Sequence, residues 1–195
     1  MLMYLQQTIS TVMTEFALHT VSEKIWALVL GLTLFAAFMD WRTRRIPNWL
    51  TVPGFLTGIA ANWILGGWHA AMASLEGAGL ALGLLLPFVL LRGLGAGDWK
   101  LMGAVGAMVG WRPMLFVLFV SILASGLMGV VQMIVTGRVK RTLWNTLVLA
   151  KGLATFGLGM KPGITLDNPT LLKVPFGVGV GVATVLGFVL VHLRH

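Results

Sequence analysis

The chain has 195 residues, of which 57% are hydrophobic and only 10% charged, with a mean hydropathy of +0.91. A soluble domain carries about a quarter charged residues, so this composition marks an integral membrane protein. The net charge of +8 does not point to nucleic acid, because the cations flank apolar runs instead of gathering on one solvated face, and the lack of cysteine excludes disulfides, thiolate metal sites and a cysteine nucleophile.

A helix needs about 20 residues to cross a ~30 Å hydrocarbon core. Six apolar runs meet or approach that length: 21–40, 48–66, 72–91, 99–111, 113–136 and 174–192. The first 24 residues hold Glu15, Glu23 and one cation, Lys24, which is not a signal-peptide pattern, so residues 1–20 read as an outward-facing tail before a retained anchor. "GGWHA" is a turn between the second and third runs, and Trp111, Arg112 and Pro113 form one between the fourth and fifth. The segment 137–173 is a loop whose portion "RTLWNTLVLAKGLATF" has apolar residues at helical spacing, as an interfacial amphipathic helix would. The expected fold is a single all-α polytopic domain, 1–195, of six transmembrane helices.

Lysine and arginine orient it. Eleven of them fall in 41–47, 92–100 and 137–173, against Lys24, Arg112 and Arg194 on the other side. Both termini are therefore expected outside, with "DWRTRRIPN" and "GLGAGDWK" facing the cytoplasm, where their cations meet anionic headgroups.

That orientation puts Asp40 at the cytoplasmic end of the first helix and Asp98 at the same end of the fourth, 58 residues apart in sequence but at similar depth. The fourth run, from Trp99 to Trp111, is only 13 residues long. With Trp111 at the outer interface, Asp98 stops about 10 Å short of the inner edge of the core. Non-helical backbone at that depth survives only inside protein or beside water, so "GLGAG" reads as a re-entrant connection lining a wet, cytoplasmic-face cavity. Each aspartate alone could be structural: Asp98 as a helix N-cap, Asp40 as a partner of Arg44. Two carboxylates brought close in a low-dielectric pocket cannot both ionise, so the pair holds one proton. Such a pair supplies a base for water and an acid for a carbonyl oxygen, which is what peptide hydrolysis needs without a metal. Gly93, Gly95 and Gly97 alternate, and an extended conformation there offers one bare face for a substrate strand.

These residues resemble the type IV prepilin peptidases, of the GxGD class of intramembrane aspartyl proteases. Gly95, Ala96, Gly97 and Asp98, followed by Trp99, Lys100 and Leu101, match the family's second catalytic motif. Asp40, Arg42, Ile46, Pro47 and Asn48 match the first, and Pro175, Phe176 and Gly177 match its Pro-Phe/Tyr-Gly element before the last helix. The resemblance implies that Asp40 and Asp98 are catalytic, that no cofactor or metal is used, and that the partner is a prepilin or pseudopilin whose basic, glycine-terminated leader is cut at the cytoplasmic face of the bacterial inner membrane. Gly95, Gly97, Lys100, Pro47 and Pro175 are the expected substrate-contacting positions. Many relatives carry an N-terminal domain with paired cysteines associated with N-methylation. This chain has no cysteine, so the resemblance is to the short, Flp/Tad-like form, and it leaves open whether any methyltransferase activity remains.

Glu76 is expected in an interfacial or interhelical role, and Asp167, in "ITLDNP", as a turn former and the fallback for Asp40. His19, His69, His192 and His195 lie at the outer side or in tails, too dispersed for zinc. The rival reading from another class is a cation-coupled transporter using the same acidic pair, since broken helices and acids at a membrane boundary also make cation sites.

Overall fold

The computed structural model describes residues 22–90, 94–137 and 175–193, which form five helices: α1 (Glu23–Thr43), α2 (Asn48–Leu90), α3 (Ala96–Val109), α4 (Trp111–Val135) and α5 (Phe176–His192). The chain is all-helical there. By length and composition α1, α2 and α4 suffice to cross a membrane, and α5 is a shorter apolar helix. The expected interfacial helix, Asp167, the tail 1–20 and Arg92 lie outside the described residues.

The second and third apolar runs form one 43-residue helical stretch, broken only at Gly67, where φ is 68°. Positive φ is open to glycine at little steric cost, and here it reverses the chain. The limb 48–66 runs parallel to α3, with Asn48 beside Lys100 and Gly58 beside Met108. The limb 68–90 runs antiparallel to it, with Gly77 against Gly106 and the Leu82 carbonyl accepting from Trp99 Nε1 at 2.8 Å. The turn expected over "GGWHA" is thus a single residue. The turn expected at Trp111–Pro113 is likewise Gly110 alone, with φ 77°, and Trp111 already begins α4.

α3 lies at the centre, with every residue from Leu101 to Val109 buried. Apolar burial does not drive helix association in lipid, so close packing of small residues and interhelical hydrogen bonds must. Gly77 and Gly106 pack backbone on backbone. Asn62 Nδ2 donates to the carbonyls of Met108 (2.8 Å) and Ala107 (3.2 Å), which satisfies the last turn of α3. A second layer is formed by α5 between α1 and α4. α5 runs antiparallel to α1, from Asp40 beside Gly177 through a buried Thr33–Thr184 hydroxyl bond of 2.6 Å to Trp26 beside Gly187. It is also antiparallel to α4, from Ser121 beside Gly179 to Phe116 beside Gly187.

These pairings alternate the direction of successive helical segments and give the bundle two ends. Arg42, Arg44, Arg45, Asp40, Asp98 and Lys100 gather at one; Lys24, Gly67, His69, Arg112 and His192 lie at the other. Glu76 is exposed on the limb 68–90, close to that second end.

Candidate active site

α1 extends three residues past the expected boundary, which puts Asp40 inside its last turn. Arg44 ends the helix in the left-handed region (φ 54°), its N–H bonding the Asp40 carbonyl at 2.9 Å. Proline disfavours helix at the residue before it, and residues 45–47 are non-helical. α2 then restarts on Pro47, whose carbonyl accepts from Leu50 N–H at 3.1 Å. This bend carries Ile46 across the site. A Cβ built on Gly97 would lie 3.1 Å from Ile46 Cβ, and one built on Gly177 would lie 3.1 Å from Ile46 Cδ1. Ile46 therefore sits between the start of α3, which bears Asp98, and the start of α5, where Gly177 meets Asp40.

Asp40 is buried, with 6% of its surface exposed, and accepts the Gly177 N–H on Oδ2 at 2.9 Å. Arg44 acts on it through its charge. Asp98 lies within Coulombic reach of Asp40. Both aspartates thus stand at the same end of the bundle, Asp40 against Gly177 and Asp98 next to Gly97, whose bare side meets Ile46. Asp98 is not the N-cap: α3 begins earlier than its hydrophobic run, with Gly95 as N-cap, and Asp98 is the third helical residue. Its Oδ1 is buried without a hydrogen-bond partner from the protein, while Oδ2 folds back over Gly95, 2.9 Å from where a Cβ there would stand. The extended glycine face expected from Gly93 to Gly97 does not form at Gly97. That residue is helical, because α3 starts at Ala96, and its bare side is filled by Ile46. Gly93 lies outside the described residues.

Lys100 Nζ donates to Asn48 Oδ1 at 2.9 Å, which ties the second motif to the first. Pro47 stands beside Ile46, and Pro175 is the N-cap of α5, two residues from the Gly177 amide. Three residues with a part in the site carried no expected role: Ile46, Asn48 and Gly177. All belong to the quoted motifs, and that membership was the available signal.

The site is recessed along the bundle. α4 passes Gly179 at Ser125 and continues ten residues to Val135, about 15 Å of helix. Leu127, Val130, Val131, Ile134 and Val135 are exposed apolar residues on that extension. A cavity of about 310 Å3 lined by Asn62, Ser74 and Arg112 opens at the opposite end, away from both aspartates. Among the described residues no group of three or more His, Asp or Glu could hold a metal ion.

The model of the type IV leader peptidase family matches residues 27–130, which include both aspartates and end before α5. The chain is 35% identical over 112 residues to a prepilin leader peptidase/N-methyltransferase of Aeromonas hydrophila, covering 53% of this chain and 38% of that protein. It is 33% identical over 135 residues to the protein of that name from Myxococcus xanthus, covering 64% and 39%. The one from Legionella pneumophila is 26% identical over 146 residues, covering 70% and 51%. The chain thus spans about two fifths to one half of the length of these relatives. No solved structure matches it.

Proposed function

Because this chain belongs to the type IV leader peptidase family, we propose that it is a membrane-embedded aspartic endopeptidase that removes the basic leader of a prepilin or pseudopilin. The observation that supports this reading is that Asp40 and Asp98 lie at one end of the bundle, with Ile46 in contact distance of both Gly97 and Gly177. One carboxylate takes a proton from water, and the resulting hydroxide attacks the scissile carbonyl. The other, protonated, carboxyl gives its proton to the carbonyl oxygen. Collapse of the tetrahedral intermediate breaks the C–N bond as the first carboxyl returns its proton to the leaving amine and the second takes back a hydroxyl proton, leaving the new carboxylic acid. Asp98 Oδ1, buried without a protein hydrogen-bond partner, is then the atom that would hold the shared proton toward the scissile carbonyl oxygen. The apolar extension of α4 beyond the aspartates supports a site below the lipid surface, reached from the basic end by water and by an unwound substrate segment. The test is direct: purified protein incubated with a prepilin should convert it to the mature size. No conversion of any leader-bearing pilin would remove the reading.

In the proposed topology the five helices make six crossings, with the limbs of α2 counted separately, and the basic end faces the cytoplasm of a bacterial inner membrane. Reporter fusions at Thr142 and His195 should then report opposite sides of the membrane. Agreement between them would overturn the helix count.

The proposed chemistry uses no metal, so a strong chelator should leave cleavage by the purified protein unchanged within about twofold. Loss of activity restored by zinc alone would replace water activation by the dyad with activation by a metal.

A further inference from the structure

The first turn of any helix leaves backbone N–H groups without intrahelical partners, and in a buried position these need an acceptor. At α5 the N-cap is Pro175, which supplies no side-chain hydrogen bond. The acceptor comes instead from another helix. Asp40, 137 residues away in sequence, takes the Gly177 N–H on Oδ2 at 2.9 Å in a buried setting. Gly177 is the second residue of α5, where the helix dipole favours a negative charge. The fit is tight on the carbon side too. A Cβ on Gly177 would stand 3.0 Å from Asp40 Cβ, 3.0 Å from Asp40 Oδ2 and 3.1 Å from Ile46 Cδ1. A side chain there would have to shift the carboxyl or Ile46 by a few tenths of an ångström.

We propose that Gly177 is a positioning residue of the active site: its amide clamps Asp40 Oδ2 in the first turn of α5, fixing the carboxyl plane so that Oδ1 is presented to the reacting water. The proposal rests on the endopeptidase reading and adds α5, which lies beyond the matched part of the chain, to the catalytic apparatus. A clamp of this kind acts on the chemical step. The substrate helix can dock as before, but the base is misaligned when the water must be deprotonated, and small misplacements of that kind cost about a hundredfold.

The test compares Gly177→Ala with Gly181→Ala. Gly181 faces the same helix with the same nearest distance though fewer close neighbours, its built Cβ lying 3.0 Å from Ala37 Cβ and 3.6 Å from the Thr33 carbonyl oxygen, and it touches neither aspartate. A general penalty for tightening the α1–α5 contact appears in both variants. In prepilin cleavage Gly177→Ala should lower kcat by about 30-fold to 100-fold, with KM within threefold of the parent, while Gly181→Ala keeps kcat within threefold. Equal kcat in the two variants, or a loss confined to KM, would overturn the proposal. Should Gly177→Ala fail to accumulate in the membrane, Ile46→Val relieves the Ile46 contact but not the Asp40 one. Gly177→Ala/Ile46→Val should then be folded and still slow relative to Ile46→Val alone; full recovery of kcat would show that only packing was at stake.

A readout that needs no turnover separates this inference from the endopeptidase reading. In 15N-glycine-labelled protein the Gly177 amide resonance, assigned by its loss in Gly177→Ala, should shift on Asp40→Asn and hold on Asp98→Asn. A Gly177 resonance indifferent to Asp40→Asn would remove the clamp even if cleavage stands, and cleavage failing while that shift is seen would remove the endopeptidase reading alone.

Discussion

Asp40→Asn or Asp98→Asn is expected to lower prepilin cleavage at least about a thousandfold, with the protein still folded and inserted. General acid–base catalysis contributes typically 10²- to 10⁴-fold, and groups that act as one unit fail together, so the double substitution should be hardly slower than either single one. Asparagine keeps the size of aspartate but cannot take a proton from water or carry the shared one. At Asp40 it also keeps a carbonyl oxygen that can accept the Gly177 N–H, so α5 stays capped. Removing one of two crowded carboxylates relieves repulsion and desolvation, and membrane abundance should equal or exceed that of the parent. Asp40→Ala lacks the acceptor and should additionally cost about 1 kcal/mol of stability, the usual loss for a helix cap. The measurement is the size shift of a co-expressed prepilin beside the amount of each variant in the membrane. Substantial cleavage by either Asn variant at normal abundance would rule out this pair, and Asp167 would be the next carboxylate to replace. A transporter using the same acids would be equally disabled in transport, but its parent form would never shift the prepilin.

The largest effect on stability is expected at the crossing of α2 and α3. A Cβ on Gly106 would run into the Gly77 carbonyl oxygen and stand 2.7 Å from the Gly77 carbonyl carbon; a Cβ on Gly77 would run into the Gly106 carbonyl oxygen and stand 2.6 Å from the Gly110 carbonyl carbon. Every one of those neighbours is backbone, so no side chain can turn aside and the helices must part. Overpacking typically costs 1–3 kcal/mol. With backbone on both sides, Gly106→Ala is expected at the top of that range, about 3 kcal/mol, and Gly106→Val beyond it. The separation would also draw α3, and Asp98 with it, away from Ile46. Gly79 and Gly83 lie on the same limb with nothing within 4 Å of a built Cβ. Gly79→Ala and Gly83→Ala should hold or raise stability, by up to about 1 kcal/mol, since alanine is the better helix former. Thermal unfolding in one detergent ranks the four variants. A Gly106→Ala midpoint equal to that of Gly79→Ala would mean that this crossing does not hold α3 in place.

Much of the protein is determined by local chemistry and is legible in the chain. A lipid-crossing segment must satisfy its own backbone and present apolar side chains over a fixed length, so composition and run length alone located every described helix within a few residues. The rarity of acids made Asp40 and Asp98 conspicuous, and the motif spacing around them carried the family. Errors arose where a local rule had two outcomes. Glycine and tryptophan over 66–70 were consistent with a loop, yet one left-handed residue, Gly67, sufficed, because the limbs on either side of it pack on the same helix. The alternating glycines before Asp98 were consistent with an extended edge, yet α3 begins at Ala96, and the smallness of Gly97 serves the approach of Ile46.

What the tertiary structure alone decided is the relation between segments far apart in sequence. No periodicity shows that the Asp40 carboxyl accepts the first-turn amide of α5, that Lys100 reaches Asn48, or that Ile46 stands between the starts of α3 and α5. Each of these contacts depends on helices that are individually stable in lipid. Their mutual register is set by where small residues let backbones touch, and that complementarity belongs to pairs of surfaces, which no single stretch of sequence contains.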